Sequence, residues 1–175
     1  MFDVFLLYIK KILKILIVLI FFILITRSFI IEPGRVNGRS MEKTFIDDDI
    51  FFVNKLFLLT KKPRRGDIVQ YINDINNEVI IKRVIGLPGE QVKIFNNHVY
   101  IITTAGEEIK LAEPYLDEYT LTKTPLGNNI IYPPIPENEY FLLGDNRGES
   151  KDSRYVGTIN RSYITGSVIK LPFSK

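Results

Sequence analysis

The chain has 175 residues, of which 46% are hydrophobic and 25% charged, and its net charge is +3. This composition excludes a wholly disordered chain, because it provides enough apolar surface for a packed core. The absence of cysteine excludes disulfides and thiolate metal sites. Lys10, Lys11 and Lys14 alone supply the net charge, so the remainder is nearly balanced and has no basic stripe typical of nucleic-acid binding.

The N-terminus has a basic beginning followed by an apolar stretch. Residues 15–26 carry no charge, and apolar flanks extend the stretch to residues 12–31. We expect residues 12–31 to form a transmembrane helix, since spanning needs roughly 20 apolar residues and Lys14 can extend to the interface. The positive-inside rule then places residues 1–11 in the cytoplasm and the remainder outside. A cleaved signal peptide is the alternative, but the stretch ends in TRSFIIEP without small residues.

Residues 32–175 are expected to form a single, mostly β domain, because short apolar segments recur between turn residues. Candidate strands are Ile50–Asn54, Asp67–Ile72, Val79–Ile85, Gln91–Phe95, His98–Thr103, Glu139–Leu143 and Ser167–Leu171. Asn96 and Asn97 separate two of these strands and predict a hairpin turn. Residues 104–138 contain five prolines with little periodicity, which predicts a loop-rich insert.

Residues 55–65 combine the apolar segment Leu56–Leu59 with five basic residues. The simpler interpretation is a solvated loop. The alternative is a loop that rests on the membrane surface beside the anchor, with its basic residues near anionic headgroups.

Ser40, Lys82 and Ser150 lie in the segments NGRSM, IKRVIG and GDNRGESKDSR, and in a chain without cysteine and with one histidine a lysine is one of the few bases that could activate a hydroxyl. His98 is expected to be an exposed turn residue. Lys82 lies in the strand-like segment VIIKRVIG, where apolar neighbours would disfavour its charge. An edge-strand lysine that deters aggregation is the alternative for Lys82. For the segment GDNRGESKDSR, which contains Ser150, the alternative is a charged surface loop.

Four segments in order resemble bacterial type I signal peptidases, the membrane-anchored Ser/Lys proteases that cut exported preproteins. They are VNGRSMEKTF, RRGDIV, IKRVIGLPGE and GDNRGESKDSRYVG. The resemblance implies antiparallel sheets, Ser40 as nucleophile, Lys82 as general base and Ser150 as the hydroxyl that orients Lys82. It also implies structural ion pairs among five charged residues, namely Arg83, Asp145, Arg147, Asp152 and Arg154.

The resemblance further implies an oxyanion hole and a pocket for small side chains. A serine found in some members two residues before the nucleophile is Gly38 here, so we expect the backbone N–H groups of Ser40 and Gly38 to serve. Val36, Met41 and Ile81 are candidate pocket residues, with core packing as the equal alternative. Because a nearby carboxylate would raise the Lys82 pKa, we expect Asp145 and Asp152 to pair with arginines instead.

These expectations describe a single-pass enzyme of the bacterial cytoplasmic membrane with its catalytic domain on the outer face. It would remove signal peptides from exported preproteins by cutting after A-x-A-like sites. Signal peptides and the lipid bilayer are the expected partners, and no cofactor, metal or nucleic acid is expected. One alternative is a related peptidase dedicated to a single conjugative or pilus substrate. Another is a non-catalytic, membrane-anchored β domain that binds extended peptides.

Overall fold

The computed structural model describes residues 2–57, 61–127 and 129–170. The first element is helix α1, Phe2–Phe29. The large apolar side chains of this helix from Val4 to Ile25 are exposed. Lys10, Lys11 and Lys14 lie within this helix and interrupt its apolar sequence. Among the described residues, no helix has the length and apolarity needed to cross a membrane, so the expected transmembrane span is not supported. Its expected end also needs correction, because Ile31 belongs to a strand.

The remainder is built mainly from short antiparallel strands, as predicted from the sequence. In chain order the strands are β1 Ile31–Arg35, β2 Ile50–Asn54, β3 Ile68–Ile72, β4 Val79–Gly86, β5 Gln91–Phe95, β6 His98–Ile102, β7 Glu108–Lys110, β8 Asn129–Ile131, β9 Glu139–Leu143, β10 Ile159–Asn160 and β11 Ile164–Lys170. The short helix α2, Ser153–Val156, follows β9, and a 3-10 turn, Arg161–Tyr163, precedes β11.

The strands form two sheets. The larger sheet has seven strands in the order β1-β2-β11-β3-β4-β9-β10, and the smaller has four in the order β7-β6-β5-β8. All the pairings between these strands are antiparallel. The predicted hairpin turn between β5 and β6 is confirmed, since Asn96 and Asn97 have φ values of 47° and 63°, as a tight two-residue turn requires. His98 is exposed at the beginning of β6, as expected.

Four strands were not predicted: β1, β7, β8 and β10. Pro33 and Gly34 interrupt the strand pattern of β1, and an edge strand tolerates them because one side of its backbone needs no partner. The last predicted strand begins earlier than expected, at Ile164, and its predicted end at Leu171 lies outside the described residues. Residues 58–60, within the segment 55–65 that is expected to be a solvated loop or, alternatively, a membrane-surface loop, also lie outside them.

The core consists of three clusters of buried side chains. One joins the small sheet to the end of β4 and to β9, and includes Ile85, Val92 and Phe141. A second joins the turn after β1 to β2 and β4 and includes Met41 and Phe45. A third is formed by side chains of β3, β4, β9 and β11. Met41 and Ile81 both belong to the second cluster, and their packing brings their neighbours in sequence, Ser40 and Lys82, together.

Candidate active site

Ser40 lies in a turn between β1 and β2 whose backbone is held from two sides. Met41 and Phe45, which follow it, are 1% and 0% exposed and anchor the turn in the core. The N–H of Phe45 donates to the Met41 carbonyl at 2.8 Å, closing the turn. From the other side, the N–H of Asn146 donates to the Ser40 carbonyl at 3.1 Å. The Ser40 hydroxyl therefore projects from a backbone with little freedom to move.

Lys82 lies in the middle of β4, opposite Val69 of β3, and is only 2% exposed. Its ammonium nitrogen Nζ lies 2.6 Å from Ser40 Oγ and 3.1 Å from the Ile81 carbonyl oxygen. Burial lowers the pKa of Lys82 to about 8, against the opposing charges of Asp152, Asp145 and Glu78. A buried amine with a depressed pKa therefore contacts a serine hydroxyl directly, as general-base activation requires.

The two aspartates of the segment GDNRGESKDSR, Asp145 and Asp152, pair with arginines, as expected. Asp145 accepts hydrogen bonds from Arg83 Nε at 2.8 Å and Nη2 at 2.6 Å, and its side chain is fully buried. Asp152 accepts two from the Arg154 guanidinium, both at 2.8 Å, one from the Arg154 N–H at 3.2 Å and one from the N–H of Gly144 at 3.0 Å. Each carboxylate is thus paired with an arginine and not with the Lys82 amine, and the charge of Arg154 adds to burial in lowering the Lys82 pKa.

Ser150 is buried, at 5% exposure, but its hydroxyl has no hydrogen-bond partner among the described residues. The expected hydrogen bond from Ser150 to Lys82 is therefore absent from this structure. Ser150 instead packs against Gly144, where an added Cβ would lie 2.5 Å from both the Ser150 Cβ and the Ser40 carbonyl oxygen. Only glycine fits at position 144, so this contact holds Ser150 and the Ser40 backbone close together.

Arg147 differs from the other two arginines, because its partner lies in the insert between β7 and β8. Its Nη1 lies 3.2 Å from one Glu113 carboxylate oxygen, and its Nη2 bonds the other. The same guanidinium donates to Thr122 Oγ1 at 2.5 Å and to the Gly144 carbonyl at 3.1 Å. Neither Glu113 nor Thr122 can be identified from the sequence, since a proline-rich segment without periodicity carries no signal for a tertiary ion pair.

The backbone donors near Ser40 differ from the expectation. Gly38, with φ +93°, donates its N–H to the Asp47 carboxylate at 2.8 Å and so is not available as an oxyanion donor in this structure. Within the described part of the chain, the Ser40 N–H makes no hydrogen bond. Of the two predicted oxyanion donors, the Ser40 N–H is therefore the one that is free to bind an oxyanion.

A cleft of about 990 Å³ opens beside Ser40 and Lys82 and is lined by β1 and the first half of β4. Strand β1 is an edge of the large sheet, and β9 pairs with β4 only from Arg83 onward. Val36 and Ile81 line the cleft while also packing in the core. Met41 does not line it, because its side chain points into the core, so its assignment to the pocket is corrected.

No group of three or more histidine, cysteine or acidic side chains among the described residues is arranged to hold a metal ion.

Comparison with known proteins identifies the family. A family described as "Signal peptidase, peptidase S26" matches residues 9–172. Signal peptidase I P of Bacillus subtilis subsp. natto is 36% identical over 92% of this chain and 88% of its own length. Signal peptidase I T of Bacillus subtilis (strain 168) is 34% identical over 93% of this chain and 85% of its own.

A solved structure is also similar. The crystal structure of a signal peptidase I from Enterococcus faecalis V583 is 30% identical, with a TM-score of 0.51 over 62% of this chain and 98% of that one. Its likeness agrees with the mostly β, antiparallel architecture described above. On these grounds the chain belongs to the signal peptidase family, peptidase S26, and is a serine peptidase.

Proposed function

We propose that this protein is a signal peptidase I, an endopeptidase that removes N-terminal signal peptides from exported preproteins. The observation that carries the proposal is the 2.6 Å contact between Lys82 Nζ and Ser40 Oγ, made by a buried lysine with a lowered pKa. Burying a lysine costs free energy, so a lysine that served only as a surface or edge-strand charge would remain in solvent and would not pack against a serine hydroxyl. Membership of the family supports the same activity.

The proposed reaction begins with the neutral amine of Lys82. The amine takes the proton of Ser40 as Oγ attacks the scissile carbonyl, and the Ser40 N–H stabilises the oxyanion. The protonated amine then gives its proton to the leaving amino group, which leaves an acyl-enzyme on Ser40. In its neutral form once more, Lys82 activates the water that hydrolyses the acyl-enzyme.

Ser150 is proposed to orient Lys82 while substrate is bound. Its buried hydroxyl is unsatisfied in the structure, and an unsatisfied buried hydroxyl costs about 1–3 kcal/mol. A hydrogen bond to Lys82 in the substrate complex would remove that cost. It would also fix the direction of the amine, as the aspartate does for histidine in a Ser-His-Asp triad.

The substrate is proposed to bind as an extended strand in the cleft. The free edge of β1 and the free side of Val79–Lys82 both offer backbone groups for strand addition. Val36 and Ile81 line the cleft near Ser40, and in this proposal they bound pockets that take the small side chains of A-x-A-like sites.

Membrane attachment is proposed to occur through α1, with residues 1–11 in the cytoplasm, the helix from residue 12 to its end at Phe29 as the anchor, and the β domain that follows as the catalytic domain on the outer face. The exposed apolar side chains of α1 support this placement. The uncharged residues 15–26 span about 18 Å of helix, so lysine side chains must extend to the interface to complete the anchor. The insert at residues 104–138 belongs to the catalytic domain in this proposal.

We expect the full chain to stay with membranes after washing at alkaline pH. Such a wash removes proteins that are held only by electrostatic attraction to the membrane surface, but not those whose apolar side chains are inserted in the bilayer. Introducing two charges by Leu19→Arg and Phe22→Arg should release most of the protein, since each buried charge is costly in a bilayer. Leu121→Arg, at another exposed apolar position, is the control and should not release it. Release of the wild-type chain by the wash would contradict anchoring.

Cleavage of a purified preprotein in detergent tests the proposed function. A preprotein with an Ala-X-Ala site should be cut once, after the second alanine, and mass spectrometry of the fragments locates the cut. Cleavage at several unrelated sites, or a cut after bulky residues, would contradict the proposed specificity.

The same assay should show a rate that rises with pH, with a midpoint near pH 8. The pKa of Lys82 is lowered to about 8, so below this pH the amine is charged and cannot accept the Ser40 proton. Glu78 raises the Lys82 pKa, so Glu78→Gln should move the midpoint to lower pH. A rate independent of pH between 6 and 10 would rule out a titrating lysine as the base.

A further inference from the structure

Residues 111–123, here called the strap, cross over the buried arginines that surround the active site. The guanidinium of Arg83 stacks on the ring of Tyr115, with 3.9 Å between Arg83 Cζ and the ring centroid. The carbonyl of Lys123 accepts a hydrogen bond from Arg154 Nη1 at 2.8 Å. The strap is thus in contact with the partners of both Asp145 and Asp152.

Glu113 makes the ionic contact of the strap with the third arginine, Arg147, which also donates a hydrogen bond to Thr122 of the strap. The Arg147 side chain is 0% exposed and that of Glu113 is 12% exposed. The Tyr115 hydroxyl donates to Glu113 Oε1 at 2.7 Å and so orients the carboxylate. Burial, with Glu113 beside it, raises the pKa of the Tyr115 hydroxyl, which therefore keeps the proton it donates. Glu113 is a charged, oriented partner for a guanidinium shielded from water.

Arg147 connects Glu113 to the Ser40 turn. Its Nε donates to the Gly144 carbonyl at 3.1 Å, and Gly144 packs against both the Ser40 carbonyl and Ser150. Two residues further on, the N–H of Asn146 donates to the Ser40 carbonyl. A shift of Arg147 would therefore move the backbone against which Ser40 is placed.

We propose that Glu113 is a positioning residue for the peptidase reaction, acting through Arg147 and Gly144 on the placement of Ser40 relative to Lys82. This inference rests on the proposed function, because it assumes that the contact between Ser40 and Lys82 is the catalytic one. It assigns the insert a part in catalysis, in addition to any part in folding.

The charge of Glu113 is the property that matters. Asp145 neutralises Arg83 and Asp152 neutralises Arg154, so Glu113 is the carboxylate left for Arg147 among these buried pairs. A neutral amide in its place would leave a buried guanidinium without a counter-ion, and the guanidinium would move toward solvent or another acceptor. Because reacting groups misplaced by about 1 Å can cost about 10²-fold in rate, a small movement is enough.

The test compares Glu113→Gln with the wild-type chain, using the same preprotein and a temperature at which thermal unfolding shows both to be folded. We expect kcat to fall about 10- to 100-fold while KM stays within about 2-fold, because the cleft walls are unchanged. Glu118→Gln is the matched control, since it makes the same change at an exposed position of the strap. The control should keep wild-type kcat.

A second comparison separates positioning from a general loss of stability. If Glu113 acts through Arg147, then adding Glu113→Gln to Arg147→Met should lower kcat no further. Tyr115→Phe, which removes only the hydroxyl that orients Glu113, should lower kcat less than Glu113→Gln does. Wild-type kcat in Glu113→Gln, or losses that multiply in the double variant, would overturn the inference. Neither result would affect the proposed function, which fails instead if Ser40→Ala remains active.

Discussion

Replacing Lys82 with methionine is expected to lower the rate of preprotein cleavage by about 10³- to 10⁴-fold. Methionine fills a similar volume in a site that is 2% exposed, but it cannot accept the Ser40 proton. Ser40→Ala should cause a loss of similar size, because nucleophile and base act as one unit and their effects do not add. The measurement is the initial rate of cleavage in detergent for each single variant and for the double variant.

Lys93→Met is the matched control for this change. Lys93 also lies in a strand, but its amine pairs with Glu108 at 2.7 Å on the small sheet. Lys93 takes no part in the contact between Ser40 and Lys82, and an ion pair at the surface contributes little to stability. We therefore expect a cleavage rate within about 2-fold of wild type. Wild-type activity in Lys82→Met would exclude a Ser/Lys mechanism.

Replacing Asp152 with alanine is expected to lower the free energy of unfolding by about 3–5 kcal/mol. The change leaves the Arg154 guanidinium, which is 1% exposed, without its counter-ion. It also removes the acceptor of the Gly144 N–H and of the Arg154 N–H at the beginning of α2. Because natural domains have about 5–15 kcal/mol of stability in total, the variant should unfold at a much lower denaturant concentration.

Circular dichroism during urea titration measures this loss, and Asp74→Ala is the control. Asp74 is exposed in the β3–β4 turn, so its removal should change the free energy of unfolding by less than about 0.5 kcal/mol. Asp152→Asn keeps the shape and an acceptor while removing the charge, and should fall between the two. An unfolding free energy of Asp152→Ala equal to that of wild type would mean that the buried pair contributes nothing to stability.

Both expectations depend on the same arrangement of charge. Burial lowers the Lys82 pKa, and Asp152 and Asp145 oppose that effect. The charge of Arg154, the partner of Asp152, acts in the same direction as burial and lowers the Lys82 pKa. We therefore expect the pair formed by Asp152 and Arg154 to affect both the stability of the domain and the Lys82 pKa.

Much of the fold could be predicted because it depends on local patterns. The β5–β6 hairpin follows from two asparagines that tolerate positive φ between alternating strands. Strand β1 was missed because Pro33 and Gly34 contradict the usual strand pattern. In the structure Gly34 lies against the ring of Phe51, where an added Cβ would be 2.5 Å from the nearest ring atoms, and this close approach cannot be read from sequence.

The sequence by itself determined which residue types could carry the chemistry. The absence of cysteine and the single histidine left lysine as a candidate base, and the resemblance of four segments to signal peptidases assigned the roles to Ser40 and Lys82. Its motifs also indicated that the aspartates would pair with arginines. The choice of lysine and its apolar surroundings follow from residue chemistry and strand periodicity, which are local properties, while the roles of the individual residues follow from the resemblance.

Only the tertiary structure decided how the site is completed. The use of the Gly38 N–H by Asp47, the placement of Met41 in the core and the unpaired hydroxyl of Ser150 all depend on how distant segments pack. The clearest case is Glu113, which is 34 residues from Arg147 in sequence yet forms its buried ion pair. Such pairings are set by the three-dimensional packing of the chain, because nothing in the local sequence of either residue specifies the other.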